Sequence, residues 1–292
     1  MDAQNFPPVR ACLFDMDGLL IDSEDLYTRC VNEVLREYEK PLLPWSIKAQ
    51  LQGRPAPEAS EIFFSWAQLP ISNAEYLTKL SAFQAQYFPT TQPLPGALSL
   101  VRSLATTATT TSPVHIALAT SSQAKNYTLK TSHLNELFSL FPSSRIVIGD
   151  DPRIGAGRGK PRPDIYLLAL EIINQEIRAS GNQEPEIKPE ECLVFEDSVP
   201  GVEAGRRAGM RVVWCPHEGL LNEYRGREQE VLAGVTGEHK ELDSQNDGAS
   251  HLVESWRVGA GKPGTIGDGW GQLLQSLEAF PYETYDINLQ AT

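Results

Sequence analysis

The chain has 292 residues, of which 41% are hydrophobic, enough to bury the core of one large domain or two modest ones. Its 38 acidic and 25 basic residues give a formal net charge of −13, which argues against a nucleic-acid-binding surface because such surfaces rely on clustered Lys and Arg. A small phosphorylated ligand stays possible, since a metal and one or two local cations suffice to bind it.

We expect no targeting signal of a membrane or secreted protein in this sequence. No apolar segment approaches the roughly 20 residues that a membrane-spanning helix needs, and the first residues lack the basic start and apolar core of a signal peptide. We therefore expect a cytoplasmic protein that binds neither membranes nor nucleic acid. We also expect it to act as a monomer.

The first predicted element is a buried strand over Val9–Leu13, which is followed at once by Asp15 and Asp17. Open parallel sheets place their ligands at the carboxyl ends of their strands. Two carboxylates in such a low-dielectric crevice are unfavourable without a cation. The sequence therefore predicts a metal-dependent site for an anionic ligand with these two aspartates at its centre.

A helical segment follows, because nothing between Glu24 and Thr91 indicates a strand and the apolar residues recur at helical spacing. Four helices are predicted here, over residues 26–38, 45–51, 57–69 and 73–88. We predict that residues 23–92 form an all-helical domain. It would be inserted into a core made of residues 1–22 and 93–292.

From Pro93 onward the predicted strands and helices alternate. The strands cover residues 115–120, 145–148, 192–195 and 211–215, and the helices cover residues 97–104, 122–131, 163–177 and 199–208. This alternation predicts an α/β fold with a doubly wound, Rossmann-like, mostly parallel sheet. Residues 226–271 show little periodicity, so we expect an exposed insertion there. We also expect a short helix around Leu273, Leu274 and Leu277 that returns to the core.

Two further groups of polar residues stand where an anion could bind. Thr120, Ser121 and Ser122 follow a predicted strand, where hydroxyl and N–H groups can hold an oxyanion, although helix caps use the same residues. Lys160 stands in a loop before Pro161 and could reach a phosphate as a point charge. The ordinary alternative for such a lysine is a solvated surface position.

The last polar group, Glu196 and Asp197, closes the strand over residues 192–195. Acids at the end of a buried strand are natural ligands for a hard metal ion. Capping of the next helix by Asp197 is an alternative that is compatible with metal binding. A second acidic pair, Asp150 and Asp151, is interpreted as a turn that supports the site.

The motifs FDMDGLLIDSE, LATSS, GKPRPD and VFEDSVPGVEAGRRAGM occur in this order along the chain. Together they resemble the four signature motifs of the haloacid dehalogenase-like hydrolase superfamily, and the likeness extends from Leu13 to Pro216 with interruptions. Within the superfamily the chain is most similar to the pseudouridine-5′-phosphatases. The resemblance implies a small phosphorylated metabolite as the substrate, with pseudouridine 5′-phosphate as the leading candidate.

The resemblance also implies how the acidic residues act. Asp15 would attack phosphorus and form an aspartyl-phosphate, and Asp17 would serve as general acid and then as general base. A Mg²⁺ ion would be held by the Asp15 carboxylate, the Asp17 backbone carbonyl and Asp197. Glu196 would act on the metal through water or by orienting Asp197.

Other residues would hold the substrate if the resemblance holds. Lys160, Thr120 and the Ser121 backbone N–H would bind the phosphate. The helical insertion resembles the mobile cap of this family, and Arg54 in it is a candidate substrate contact.

Several alternatives remain open from the sequence, one of which is a phosphatase for another sugar or polyol phosphate. β-Phosphoglucomutases share these motifs but carry a cap histidine where Tyr27 stands here, which weakens the isomerase hypothesis. A catalytically silent binding module usually loses an acid of the first motif, whereas Asp15 and Asp17 are both present. Dehalogenase chemistry also occurs on this fold, but Lys160 together with a Mg²⁺ site favours phosphoester cleavage.

Overall fold

The computed structural model describes residues 6–52, 56–107, 113–181, 183–238, 256–257 and 261–289. Within these residues lies a sheet of six parallel strands in the order β3-β2-β1-β4-β5-β6. The strands are β1 Ala11–Phe14, β2 His115–Ala119, β3 Ile146–Val147, β4 Cys192–Glu196, β5 Arg211–Trp214 and β6 Gly271–Leu273. The predicted doubly wound parallel sheet is therefore confirmed.

Helices occupy the connections between the strands. Between β1 and β2 lie α1 Ser23–Glu37, α2 Trp45–Leu51, α3 Ala56–Ala67, α4 Asn73–Tyr87 and α5 Ala97–Thr106. The later helices are α6 Ala124–Thr131, α7 Asn135–Phe138, α8 Asp164–Ser180, α9 Val199–Arg207, α10 Glu218–Glu223 and α11 Glu228–Ala233. None of the helices described combines the length and the apolar character that crossing a bilayer requires.

The sheet is covered by an apolar layer on each face. Successive residues of β1 point to opposite faces, as the period of a strand requires. Ala11 and Leu13 join the cluster that contains the buried face of α8, whereas Cys12 and Phe14 join the cluster that contains α5. Phe14 stacks on Phe195 of the neighbouring β4 at 4.5 Å between ring centroids. Because both faces are filled, polar groups can gather only at the ends of the strands.

The helices α1, α3 and α4 bury an apolar cluster of their own, centred on Val34, Phe63 and Tyr76. A reciprocal capping box starts α4, since the Ser72 hydroxyl accepts from the Glu75 N–H and the Glu75 carboxylate accepts from the Ser72 N–H. The division of the chain into a helical domain over residues 23–92 and a core over residues 1–22 and 93–292 stays a prediction.

The predicted helix around Leu273, Leu274 and Leu277 is wrong. Residues Gly271–Leu273 form the edge strand β6, with Leu273 paired to Trp214 of β5. Leu273 packs on one apolar layer and Leu274 on the other, an alternation that a helix cannot produce but a strand requires. The expectation of an exposed insertion over residues 226–271 is wrong for α11, because its Val231, Leu232 and Ala233 are buried. Residues 239–255 and 258–260 lie outside the described residues.

Candidate active site

The strand order brings three of the polar segments to one edge of the sheet. β1 lies between β2 and β4, with Phe14 in register with Leu118 and with Phe195. The loops that follow these three strands are therefore neighbours, and the Asp15 N–H donates to the Phe195 carbonyl at 3.0 Å. This register places the first, second and fourth motifs side by side.

Gly18 permits the turn that follows the two aspartates. Its φ of +72° lies in the left-handed region, which favours glycine. A Cβ atom at this position would lie 2.3 Å from Asp197 Oδ2 and 2.6 Å from Glu24 Cγ. The missing side chain therefore lets the first motif pack directly against the carboxylate of the fourth.

Lys160 is buried between two of the predicted acids. Its ammonium donates to Asp15 Oδ1, to Glu196 Oε1 at 2.6 Å and to the Ala119 carbonyl at 3.1 Å. The alternative of a solvated loop lysine is excluded, since its side chain is only 5% exposed. The third motif thus joins the other three through one ammonium group.

Glu196 is held in place by four donors. Besides Lys160, the Tyr166 hydroxyl donates to Glu196 Oε1 at 2.6 Å, and the N–H and hydroxyl of Ser198 both donate to Oε2 at 3.0 Å. Tyr166 was not predicted as a site residue. The available signal was a tyrosine on an otherwise apolar helix face, because a buried phenol needs a polar partner.

Burial shifts the pKa values of the acids strongly. Burial, reinforced by the Glu196 and Asp17 carboxylates, raises the pKa of Asp15 to about 7. Burial and the charge of Glu196 raise the pKa of Asp197 well above its usual range. Burial alone would lower the pKa of Lys160, but the Asp15 and Glu196 carboxylates outweigh it and raise that pKa. One lysine therefore does not neutralise this cluster.

The acidic cluster fits a hard divalent cation. Carboxylate oxygens of Asp15, Glu196 and Asp197 lie within 4.8 Å of one another, and all three residues are buried. Within the described part of the chain, no donor is hydrogen-bonded to the Asp197 carboxylate. Three carboxylates this close together repel one another unless a cation neutralises them, and oxygen ligands suit a hard divalent ion.

The second central aspartate, Asp17, has a different environment. Its carboxylate accepts from Ser23 Oγ at 2.5 Å, from Ser122 Oγ at 2.6 Å, from Thr120 Oγ1 at 3.5 Å and from the Lys130 ammonium. Burial would raise the pKa of Asp17, but the charge of Lys130 together with the hydrogen bonds from Lys130, Ser122 and Ser23 outweighs burial and lowers it. The pKa values of the two aspartates of this motif are therefore shifted in opposite directions.

The second motif is held by a hydrogen bond within it and by close packing of a neighbouring turn. The Thr120 hydroxyl accepts from the Ser122 N–H at 3.1 Å. A Cβ atom at Gly149 would lie 2.1 Å from the Ser121 carbonyl oxygen, so the Gly149 turn packs against this motif. Asp150 accepts from the Ala124 N–H at 3.0 Å and so caps the start of α6.

A cavity of about 370 Å³ opens at this edge. Its lining includes Asp15, Asp17, Lys160, Asp197 and Ser121, together with Glu24, Tyr27, Gln52, Ser122, Gln123, Asn126, Ser198 and Pro200. Among the predicted phosphate-binding residues, Thr120 is buried and is not part of this lining. Arg54, the predicted substrate contact, lies outside the described residues.

Comparison with known proteins identifies the family. Residues 9–209 match the model of the family described as haloacid dehalogenase-like hydrolase. A probable pseudouridine-5′-phosphatase of Saccharomyces cerevisiae is 46% identical over 72% of this chain and 83% of its own length. A mitochondrial (DL)-glycerol-3-phosphatase of Arabidopsis thaliana is 34% identical over 76% of this chain and 69% of its own length.

A solved structure agrees with these relatives. A putative β-phosphoglucomutase from Thermotoga maritima superimposes with a TM-score of 0.51 at 29% identity, covering 73% of this chain and 91% of that one. The resemblance seen in the four sequence motifs is therefore confirmed. The chain belongs to the haloacid dehalogenase-like hydrolases.

Proposed function

We propose that the protein is a Mg²⁺-dependent phosphomonoester hydrolase that acts on a small monophosphate, with pseudouridine 5′-phosphate as the leading candidate. The observation that carries the proposal is the buried cluster in which Lys160 contacts Asp15 while the Asp15, Glu196 and Asp197 carboxylates converge. Such a cluster supplies a nucleophile, the positive charge of Lys160 and carboxylate ligands for a metal ion. An anionic nucleophile needs the two positive charges when it approaches a phosphate dianion.

In the first step, a carboxylate oxygen of Asp15 attacks phosphorus, and the bond between phosphorus and the ester oxygen breaks. Asp17, in its protonated form, gives its proton to the departing alkoxide and becomes a carboxylate. In the second step, Asp17 takes a proton from water while that water attacks the aspartyl-phosphate and releases inorganic phosphate. Lys160 balances negative charge on Asp15 and on the phosphate oxygens throughout, and the Thr120 and Ser121 loop supports the phosphate.

The carboxylates of Asp15 and Asp197 and the backbone carbonyl of Asp17 would hold the Mg²⁺ ion, with Glu196 acting through water or by orienting Asp197. When bound, the ion supplies positive charge that offsets the repulsion between the nucleophile and the phosphate. Glu196 is suited to a supporting part, because the four donors from Lys160, Tyr166 and Ser198 already occupy its oxygens.

The cavity lining supports a neutral, hydroxyl-rich leaving group. Tyr27, Gln52, Gln123 and Asn126 are polar and uncharged, and Lys160 is the only basic residue among the described lining residues. The volume of about 370 Å³ lies within the usual range for small-molecule sites. The helices of residues 23–92 would act as the cap that closes over this leaving group, with Arg54 as a further contact.

A panel of phosphate esters tests the proposal. Pseudouridine 5′-phosphate, uridine 5′-phosphate, glycerol 3-phosphate and β-glucose 1-phosphate are each incubated with and without Mg²⁺, and inorganic phosphate is measured. We expect Mg²⁺-dependent release, with the largest kcat/KM for pseudouridine 5′-phosphate. A larger kcat/KM for glycerol 3-phosphate would change the proposed substrate but would leave the proposed reaction unchanged. Conversion of β-glucose 1-phosphate to glucose 6-phosphate without phosphate release would favour the isomerase alternative.

Mg²⁺ should stabilise the protein more strongly at high pH than at low pH. The pKa of Asp15 is raised from 3.8 to about 7, so the metal-free folded state binds more protons than the unfolded chain between these values. Its stability therefore falls as pH rises through that window. Mg²⁺ replaces those protons, and millimolar Mg²⁺ should raise the melting temperature by about 5 °C near pH 8 and by little near pH 5.

Differential scanning fluorimetry of the metal-free protein checks this pH dependence. Asp197→Asn serves as the control, because it removes the carboxylate that has no donor, and its melting temperature should respond little to Mg²⁺ at either pH. Equal stabilisation of the unaltered protein at both pH values would contradict the prediction.

A further inference from the structure

Lys130 is a fully buried lysine of α6 that lies in none of the four motifs. Its ammonium donates to Asp17 Oδ1, to Ser122 Oγ at 2.5 Å and to the Tyr27 hydroxyl at 3.2 Å. The Tyr27 and Phe88 rings lie 5.0 and 5.3 Å from the same nitrogen. The three hydrogen bonds use all three protons of the ammonium group, so its orientation is fixed.

We propose that Lys130 is a positioning residue of the reaction, which acts through Asp17 by fixing where its carboxylate lies relative to the reacting ester. The inference rests on the proposed role of Asp17 as the general acid and base. It adds a residue that the four motifs do not contain.

The geometry favours this role because Lys130 is the only charged group that contacts the Asp17 carboxylate within the described residues. The other donors, the hydroxyls of Ser23, Ser122 and Thr120, can rotate to other acceptors, whereas an ion pair in a buried site is strong and directional. The helix that carries Lys130 is capped at its start, where the Asp150 carboxylate accepts from the Ala124 N–H. Lys130 therefore holds Asp17 from within a capped helix.

Lys130 also connects Asp17 to the helical insertion. Tyr27 belongs to α1, and its hydroxyl shares the ammonium with Asp17. Phe88, which follows α4, closes the other side of the ammonium, and Thr91 Oγ1 donates to the Lys130 carbonyl at 2.7 Å. Residues from both ends of the insertion therefore meet at the group that positions the acid and base.

Lys130→Met tests the proposal, since it removes the charge and keeps the length of the side chain. The rate kcat/KM is measured for pseudouridine 5′-phosphate, whose alkoxide needs a proton to leave, and for p-nitrophenyl phosphate, whose phenolate leaves without one. We expect a fall of about 100-fold for the first ester and of less than about 5-fold for the second. The inhibition constant of inorganic phosphate should change less than about 3-fold.

Lys125→Met is the matched control on the same helix. Lys125 is exposed and donates to Ser81 Oγ of the insertion at 2.8 Å, so this variant removes a lysine contact without touching Asp17. Both kcat/KM values should stay within about 2-fold of the unaltered protein. Loss of activity in Lys125→Met equal to that in Lys130→Met would overturn the proposal.

A buried charge left without its partner destabilises a protein, so poor folding of Lys130→Met would by itself lower activity. A double variant provides a second test that avoids this effect. In Asp17→Asn/Lys130→Met neither charge remains. We expect its kcat/KM to lie within about 3-fold of that of Asp17→Asn alone, since Lys130 acts through the carboxylate. A further large loss in the double variant would mean that Lys130 supports the fold and does not act through Asp17.

The experiments distinguish a wrong role for Lys130 from a wrong proposed function. Activity of the unaltered protein on both esters, with Lys130→Met equally active or equally impaired on both, would overturn the role of Lys130 alone. No phosphate release by the unaltered protein from either ester in the presence of Mg²⁺ would overturn the proposed function and this inference with it.

Discussion

Replacing Asp15 by asparagine should abolish turnover, with a fall in kcat on the order of 10⁴-fold or more. The amide keeps the shape of the side chain but cannot attack phosphorus or form the acyl-phosphate bond. The melting temperature of the metal-free variant should be unchanged or higher. The raised pKa of Asp15 shows that its charge is unfavourable in the folded state, and the amide removes that charge. Phosphate release and thermal unfolding are the two measurements.

The control for this variant is Asp25→Asn. Asp25 belongs to α1 and its side chain is 73% exposed, so it carries the same substitution outside the cavity lining. We expect activity within about 2-fold of the unaltered protein, as is usual for exposed positions away from a site. Near-normal activity in Asp15→Asn would refute the assignment of Asp15 as nucleophile.

Replacing Lys160 by methionine should lower both the rate and the stability. The ammonium contacts Asp15 and Glu196, and its loss removes the fixed positive charge that we propose beside the transferred phosphate. Removal of one such stabilising group lowers kcat on the order of 10²- to 10³-fold. The two buried carboxylates would also lose their shared cation, which we expect to lower the free energy of unfolding by about 3 kcal/mol.

This destabilisation should depend on pH and on Mg²⁺. Near pH 5 Asp15 can take up a proton because its pKa is raised to about 7, so the loss of Lys160 should matter less there than near pH 8. Urea unfolding at the two pH values measures the difference. Lys262→Met, at an exposed position, is the matched control and should unfold like the unaltered protein. Equal losses at both pH values would contradict the electrostatic explanation.

Most of the candidate site could be predicted because its residues follow predicted strands. The carboxyl ends of parallel strands meet at one edge, so Asp15, Asp17, Glu196 and Asp197 could be placed together from the positions of β1 and β4 alone. Prediction was less successful near the C-terminus. A short apolar run such as Leu273-Leu274 fits a helix or a strand equally well, and only pairing with β5 decides between them.

Lys130 and Tyr166 were not identified as site residues from the sequence. A lysine in an ordinary amphipathic helix is expected in solvent, and a tyrosine on an apolar face is expected in the core. Their roles come from contacts between distant parts of the chain. Lys130 reaches Asp17 across 113 residues and Tyr166 reaches Glu196 across 30. Contacts between residues this far apart along the chain leave no helix or strand periodicity in the local sequence.

The fold class, the family and the acids of the cluster follow from the sequence alone, because strand periodicity is local and the motifs can be read in order along the chain. How the charges are shared depends on tertiary packing. It pairs Lys160 with Asp15 and Glu196, and it pairs Lys130 with Asp17. The two aspartates of one motif thereby acquire opposite pKa shifts. Asp15 lies beside the Glu196 carboxylate, whereas Asp17 accepts further hydrogen bonds from Ser122 and Ser23, and both environments depend on how separate segments pack.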